Sequence, residues 1–139
     1  MKLFVLDACV AVKWYVPEEH SDVARLLLDE NFSLTVPRLF FSEFGNILWK
    51  KFTRGEISRE DVADAATRLR SAALKPMPDE LLLDAAIALA CDLKHPVYDC
   101  VYLALADSLG TALVTADQKF ANKVADPARV VFVTDFLKA

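Results

Sequence analysis

An α/β domain built around a mainly parallel sheet is the fold class this sequence predicts, and three observations predict it. Short apolar runs alternate with segments of helical period along the chain, the pattern of strands joined by crossover helices. The first run, KLFVL, has no polar alternation, as suits a strand covered on both faces. The chain has 139 residues, of which 55% are hydrophobic. That suits one core in one domain over residues 1–139 and argues against disorder.

The elements follow in order. Residues 2–6, KLFVL, form the first strand. The stretch PEEHSDVARLLLDEN opens a helix, with Pro17 and two acids at its start and Val23, Leu26 and Leu27 at helical spacing. SLTVP, 33–37, is the next strand, closed by proline. RLFFSEFGNILWKKFT, 38–53, is helical by period. RGE breaks it, and Ser58 with Asp61 resembles a capping box for a helix over 59–73. LKPMP is a short strand, after which Asp79 caps a helix running through about Leu93. A helix over 98–109 ends at Gly110, which suits a left-handed residue after a helix. ALVTAD is a strand running into a turn, and VVFVTD, 130–135, is the last strand.

Composition excludes several functions. With three glycines there is no G-x-G-x-x-G and no phosphate-binding loop. Cys9, Cys91 and Cys100 form no C-x-x-C pair, and with two histidines neither a disulfide framework nor a zinc knuckle is suggested. His20 and His95 read as solvated turn residues. A net charge of −4 does not announce a nucleic-acid binder, although bound cations or a local patch can carry such a contact. No run of about 18 apolar residues spans a membrane, and Asp7 interrupts the apolar N-terminus, so a soluble cytoplasmic protein is expected.

The acids carry the chemistry. Asp7 ends the first strand and Asp117 follows ALVTA, both at carboxyl ends of strands, where open α/β sheets bind ligands. Each could equally be a helix cap. Glu43 lies four residues from Leu39 and from Ile47, on an apolar stripe, so it needs a partner: Arg38 or Lys50 if structural, a metal ion if functional. Asp84 has a similar but weaker claim, because Glu80 one turn earlier suggests a solvated edge. Asp99 opens a helix that is apolar on most of its circumference. The helix dipole favours a negative charge there by about 0.3–1 kcal/mol, which explains tolerance but not purpose. If Asp7, Glu43, Asp99 and Asp117 converge, their oxygens suit Mg²⁺ or Mn²⁺.

The ordered set of LFVLDACVAVKWY, PRLFFSEFGNIL, YDCVYLALA and LVTADQKF resembles a PIN domain across essentially the whole chain, most of all the toxin nuclease of Vap-type toxin–antitoxin pairs. The resemblance implies a three-layer α/β/α sandwich with a parallel sheet, and Mg²⁺- or Mn²⁺-dependent cleavage of RNA. It implies that Asp7, Glu43, Asp99 and Asp117 form the acidic site, Asp7 and Asp99 being the firmest ligands, and that Thr115 orients a ligand or water. It also implies a groove for an antitoxin's C-terminal segment.

WKKFTR, Trp49 to Arg54, reads either as an RNA contact or as an ordinary basic helix end. Phe40, Phe41, Phe44, Trp49 and Phe52 exceed what one helical stripe can bury, so a homodimer is expected. Two rival readings stand beside the nuclease. A phosphatase would want D-x-D after the first strand, where this chain has DAC, and a receiver domain would want paired acids and a late lysine. A non-catalytic α/β binding module would use the acids only as caps.

Overall fold

The computed structural model describes residues Met1–Ala139. Five strands form one sheet: β1 (Lys2–Leu6), β2 (Phe32–Pro37), β3 (Leu74–Met77), β4 (Leu113–Thr115) and β5 (Val130–Phe132). All pairings are parallel and the order is β3-β2-β1-β4-β5. The chain steps outward from β1 to β2 to β3, then returns to the other side of β1 for β4 and β5. The order therefore reverses between β1 and β4, and a crevice opens where the two carboxyl ends diverge.

Seven helices cover the sheet: α1 (Ala8–Tyr15), α2 (Ser21–Arg25), α3 (Leu39–Thr53), α4 (Arg59–Leu69), α5 (Leu83–Leu93), α6 (Val97–Leu109) and α7 (Gln118–Val124). Right-handed crossovers place the helices before and after β3 on opposite faces, because the chain reverses its direction across the sheet there. Helix α1 packs with α2, α3 and α4, while α5 packs on α6 and α6 lies against β1, β2 and β4. The result is the three-layer sandwich. The run Cys100 to Ala106 of α6 is buried without a break, because sheet and α5 enclose the helix.

Several boundaries differ from expectation, each for a local reason. The segment ACVAVKWY is a helix, unread in the sequence because Val10, Ala11, Val12 and Trp14 are all buried and no polar face gives the period away. Helix α2 begins only at Ser21, because His20 adopts a left-handed φ of 67° that breaks the chain after Pro17. Glu18 instead joins Lys13 of α1 to Lys51 of α3. The capping box of Ser58 and Asp61 is formed, but α4 stops at Leu69. Asp79 opens a short 3-10 turn, Asp79–Leu82, rather than capping α5, and its carboxylate accepts the N–H of Leu39 at 3.2 Å, at the start of α3. Gly110 ends α6 with φ 63°. The last strand stops at Phe132, and α7, seven residues long, was not foreseen.

The apolar excess also resolves differently. Phe40 and Phe44 are core residues stacked on one another, so they present nothing to a partner. Phe41, Trp49 and Phe52 remain exposed. Helix α5 and the turn before it add Leu81, Leu83 and Ile87 to the exposed apolar surface.

Candidate active site

The register of the sheet builds the site. Leu6 pairs with Val114, so the next residue of the first strand, Asp7, comes level with Thr115. The Thr115 hydroxyl donates to Oδ2 of Asp7 at 2.8 Å, and its oxygen accepts the N–H of Asp117 at 3.0 Å. Asp7 also caps α1, accepting the N–H of Cys9 at 3.3 Å. Asp117 caps α7, accepting the N–H of Phe120 at 3.1 Å. Capping is thus true of both acids, and it does not exhaust Asp7.

Burial pushes the Asp7 carboxyl up to about 6 from an ordinary 3.8, and the neighbouring charges of Asp99 and Glu43 push the same way. The hydrogen bonds from Thr115 and Cys9 hold it back in part. Glu43 is raised as well, first by burial and then by Asp99 and Asp79. It flanks the buried stripe of Phe40, Phe44 and Leu48, and neither Arg38 nor Lys50 governs its charge. Asp7, Glu43 and Asp99 therefore share one electrostatic environment. Asp117 stands outside it, with no marked effect on either Asp7 or Glu43. Asp84 is exposed on α5.

Asp7, Glu43 and Asp99 act on one another's charge without closing into a cage. No three of the His, Cys, Asp and Glu side chains are grouped so as to hold an ion. Two carboxylates at 4 Å would cost about 4 kcal/mol at an effective dielectric of 20, so each turns to its own partner. For Asp7 that partner is Thr115, and for Asp99 it is His95, whose Nε2 lies 2.6 Å from Oδ2. Between Asp7 and Glu43 lies the hydroxyl of Tyr102. Burial, these two negative charges and a contact with the Glu43 carboxylate hold its proton on far more firmly than in an ordinary phenol, although that contact falls short of a well-formed hydrogen bond.

A family profile described as the PIN domain matches residues 4–125. The chain belongs to the PIN-domain family. It is 37% identical over 127 residues to Ribonuclease VapC3 of Pyrobaculum aerophilum, covering 88% of this chain and 95% of that protein. Among solved structures it is similar to PAE2754 from the same organism, with a TM-score of 0.75 and 23% identity, covering 99% of this chain and 88% of the other. It is also similar to VapBC2 of Rickettsia felis, solved bound to a promoter DNA fragment, with a TM-score of 0.64 and 12% identity over 94% and 98% of the two chains. At these identities the solved structures establish the fold.

In this PIN domain three residues near the acids escaped the sequence reading. Asp79 was read as a local cap, but it lies close enough to raise Glu43. Tyr102 sits three residues after Asp99, on the same face of α6, and that spacing was the signal available. His95, read as a solvated turn residue, is largely covered and bonded to Asp99; its place four residues before Asp99 was the clue. In the WKKFTR stretch Lys51 pairs with Glu18 and Arg54 with Glu56. No helix of this chain is long and apolar enough to cross a membrane.

Proposed function

We propose that this PIN domain is a divalent-metal-dependent endoribonuclease and acts as the toxin of a toxin–antitoxin pair. The observation that carries the reading is Asp7, a carboxyl raised to about 6 by burial and by Asp99 and Glu43, at the reversal point of a parallel sheet. A folded chain that keeps repelling carboxylates at its ligand-binding edge is suited to a cation.

The donor chemistry fits Mg²⁺ or Mn²⁺. Asp7, Glu43 and Asp99 offer only oxygens, the preference of hard divalent ions. The Tyr102 hydroxyl, buried and only loosely directed at Glu43, is a further polar atom beside these oxygens. Asp7 and Asp99 would hold the ion, with Glu43 beside them and Asp117 at the rim. When bound, such a cation lowers the pKa of a coordinated water and offsets charge on the leaving oxygen of a phosphodiester. The chain's own part is positional: Thr115 fixes Asp7 by one oxygen, and the apolar body of α6 keeps bulk water away from the inner side of the site.

The relative named Ribonuclease VapC3 supports RNA as the substrate, and a cytoplasmic place of action follows from that. The likeness to the VapBC2 toxin–antitoxin protein supports an antitoxin as partner. The exposed Leu81, Leu83 and Ile87 on and before α5 support a second copy of this chain as the other partner, since an apolar patch of this kind marks an interface.

The test is cleavage of RNA by the purified chain with Mn²⁺, with EDTA, and with Mn²⁺ restored. Asp7→Asn and Asp99→Asn are expected to abolish cleavage while circular dichroism stays that of wild type. Cleavage that persists in EDTA, or full activity in either variant, would overturn the reading.

A further inference from the structure

Lys94, His95 and Pro96 form the whole connection between α5 and α6. Lys94 ends α5 in the left-handed region, at φ 53°, and Pro96 begins the next helix with a fixed φ. His95 is pinned between them, and its own N–H is bound by the carbonyl of Ala90 at 3.1 Å. Its ring lies 4.8 Å from that of Phe120, tilted by 40°. The ring therefore has little freedom, and both its nitrogens are occupied: Nε2 lies 2.6 Å from Oδ2 of Asp99, and Nδ1 lies 3.2 Å from Nζ of Lys123. Lys123 is itself anchored, donating to the carbonyl of Lys94 at 3.1 Å.

An ammonium group has three donors and no acceptor. Nδ1 is thus placed to accept from Lys123, and Nε2 to donate to Asp99. Asp99 meanwhile accepts no backbone N–H, although it stands in the first turn of α6, and the Pro96 cap supplies no side-chain bond. Its orientation rests on His95.

We infer that His95, pinned by Phe120, Lys123 and its own backbone bond, is a positioning residue that holds Asp99 by Oδ2 and leaves Oδ1 free for the cation. This rests on the metal-site reading above. Partners that hold a ligating group in place typically contribute about 10–100-fold in metal affinity, and the chain Lys123–His95–Asp99 is such a support.

The experiment uses the full chain at one neutral pH. Nitrogen-15 NMR of the histidine rings should show His95 with a proton on Nε2. Thermal melts are then run across a Mn²⁺ titration, with NaCl matched for ionic strength, starting from each variant's metal-free midpoint so that lost packing is counted separately. In His95→Leu the Mn²⁺ concentration giving half the melting shift should rise about tenfold. In His95→Gln, whose amide N–H reaches near the place of Nε2, it should rise much less. An Nε2 that carries no proton in wild type overturns the inference, and the NMR result stands even if the leucine variant does not fold. A Mn²⁺ midpoint in His95→Leu equal to that of wild type overturns the inference alone. A wild type that Mn²⁺ stabilises no more than matched NaCl overturns the metal-site reading, and the inference with it.

Discussion

The hydroxyl of Thr115 donates to Oδ2 of Asp7 at 2.8 Å and joins the carboxyl ends of β1 and β4 across the reversal point of the sheet. The same oxygen accepts the N–H of Asp117 at 3.0 Å, and the thiol of Cys9 stands 3.8 Å away. One fully buried hydroxyl thus fixes one acid directly and the backbone of a second. The two strands alone would set only the register. Thr115 converts that register into a defined carboxylate orientation.

Thr115→Val keeps the shape and removes both bonds. The N–H of Asp117 loses its partner, and Asp7 loses a contact that lowers its pKa. A buried group left unpaired costs about 1–3 kcal/mol, and that is the expected loss at neutral pH, with Thr115→Ser losing much less. Urea unfolding with an unchanged slope and a lowered midpoint is the signature. Equal midpoints for valine and wild type would mean that the hydroxyl does not hold this corner.

Asp7 gives the bare protein a pH dependence of definite sign. Its folded carboxyl sits at about 6 against an ordinary 3.8, so between those values the folded chain keeps a proton that the unfolded chain releases. The stability this contributes is complete below 3.8 and is lost as the pH rises through about 6. The full effect is on the order of 3 kcal/mol. Glu43 is shifted in the same direction and adds to it. Asp7→Asn carries no charge at any pH, so its unfolding free energy should fall less over this range and exceed that of wild type at neutral pH. Denaturant titrations in EDTA from acid to neutral pH measure both curves. A wild type that grows more stable as the pH rises through this window would contradict the assignment.

Much of this was legible because parallel strands are buried on both faces and read as bare apolar runs; KLFVL and SLTVP announced themselves, and Asp7 announced itself by ending the first. Glu43 was legible as a carboxylate four residues from two apolar neighbours. What escaped depends on contacts between distant segments. Asp79 caps a helix that begins 40 residues earlier. The partner of His95 lies close in sequence, but its second partner, Lys123, is 28 residues away on another helix. Helix α1 was hidden by its own burial, since a helix enclosed on all sides loses its period. Phe40 and Phe44 were assigned to an interface because a helix seen alone does not show which of its faces the sheet will cover.

The three free thiols should separate by reactivity. Cys91 is exposed, whereas Cys9 is half-buried and Cys100 buried. Burial, with Asp7 beside it, holds the Cys9 thiol well above its ordinary value, and burial with Asp99 raises Cys100. The thiolate is the reacting form, so both are protected twice over. One fast thiol is expected for each native chain with an aromatic disulfide reagent at mildly alkaline pH, and three after unfolding in urea. Mass mapping should find the fast adduct on Cys91. A fast adduct on Cys9 would show that the base of the site is open to solvent and reagent, against the burial that raises Asp7.

Tyr102 separates stability from activity most sharply. Its ring is fully buried in α6, and its hydroxyl, between Asp7 and Glu43, makes only a loose contact with the Glu43 carboxylate. A buried hydroxyl so poorly paired is a liability of up to about 1–3 kcal/mol, so Tyr102→Phe should leave the metal-free protein as stable as wild type or up to that much more stable. A tyrosine serving only the core would give that result and nothing else. If instead the hydroxyl takes part in the proposed site, the same variant should lose RNA cleavage and need more Mn²⁺ for a given melting shift, while its metal-free melt rises or holds. The opposed directions make the measurement decisive, because a merely damaged fold lowers stability and activity together. Metal-free melts, Mn²⁺-titrated melts and cleavage assays on one preparation read all three. Unchanged cleavage and an unchanged Mn²⁺ response, with a stabilised metal-free protein, would assign Tyr102 to the core and leave Asp7, Glu43 and Asp99 to act without it.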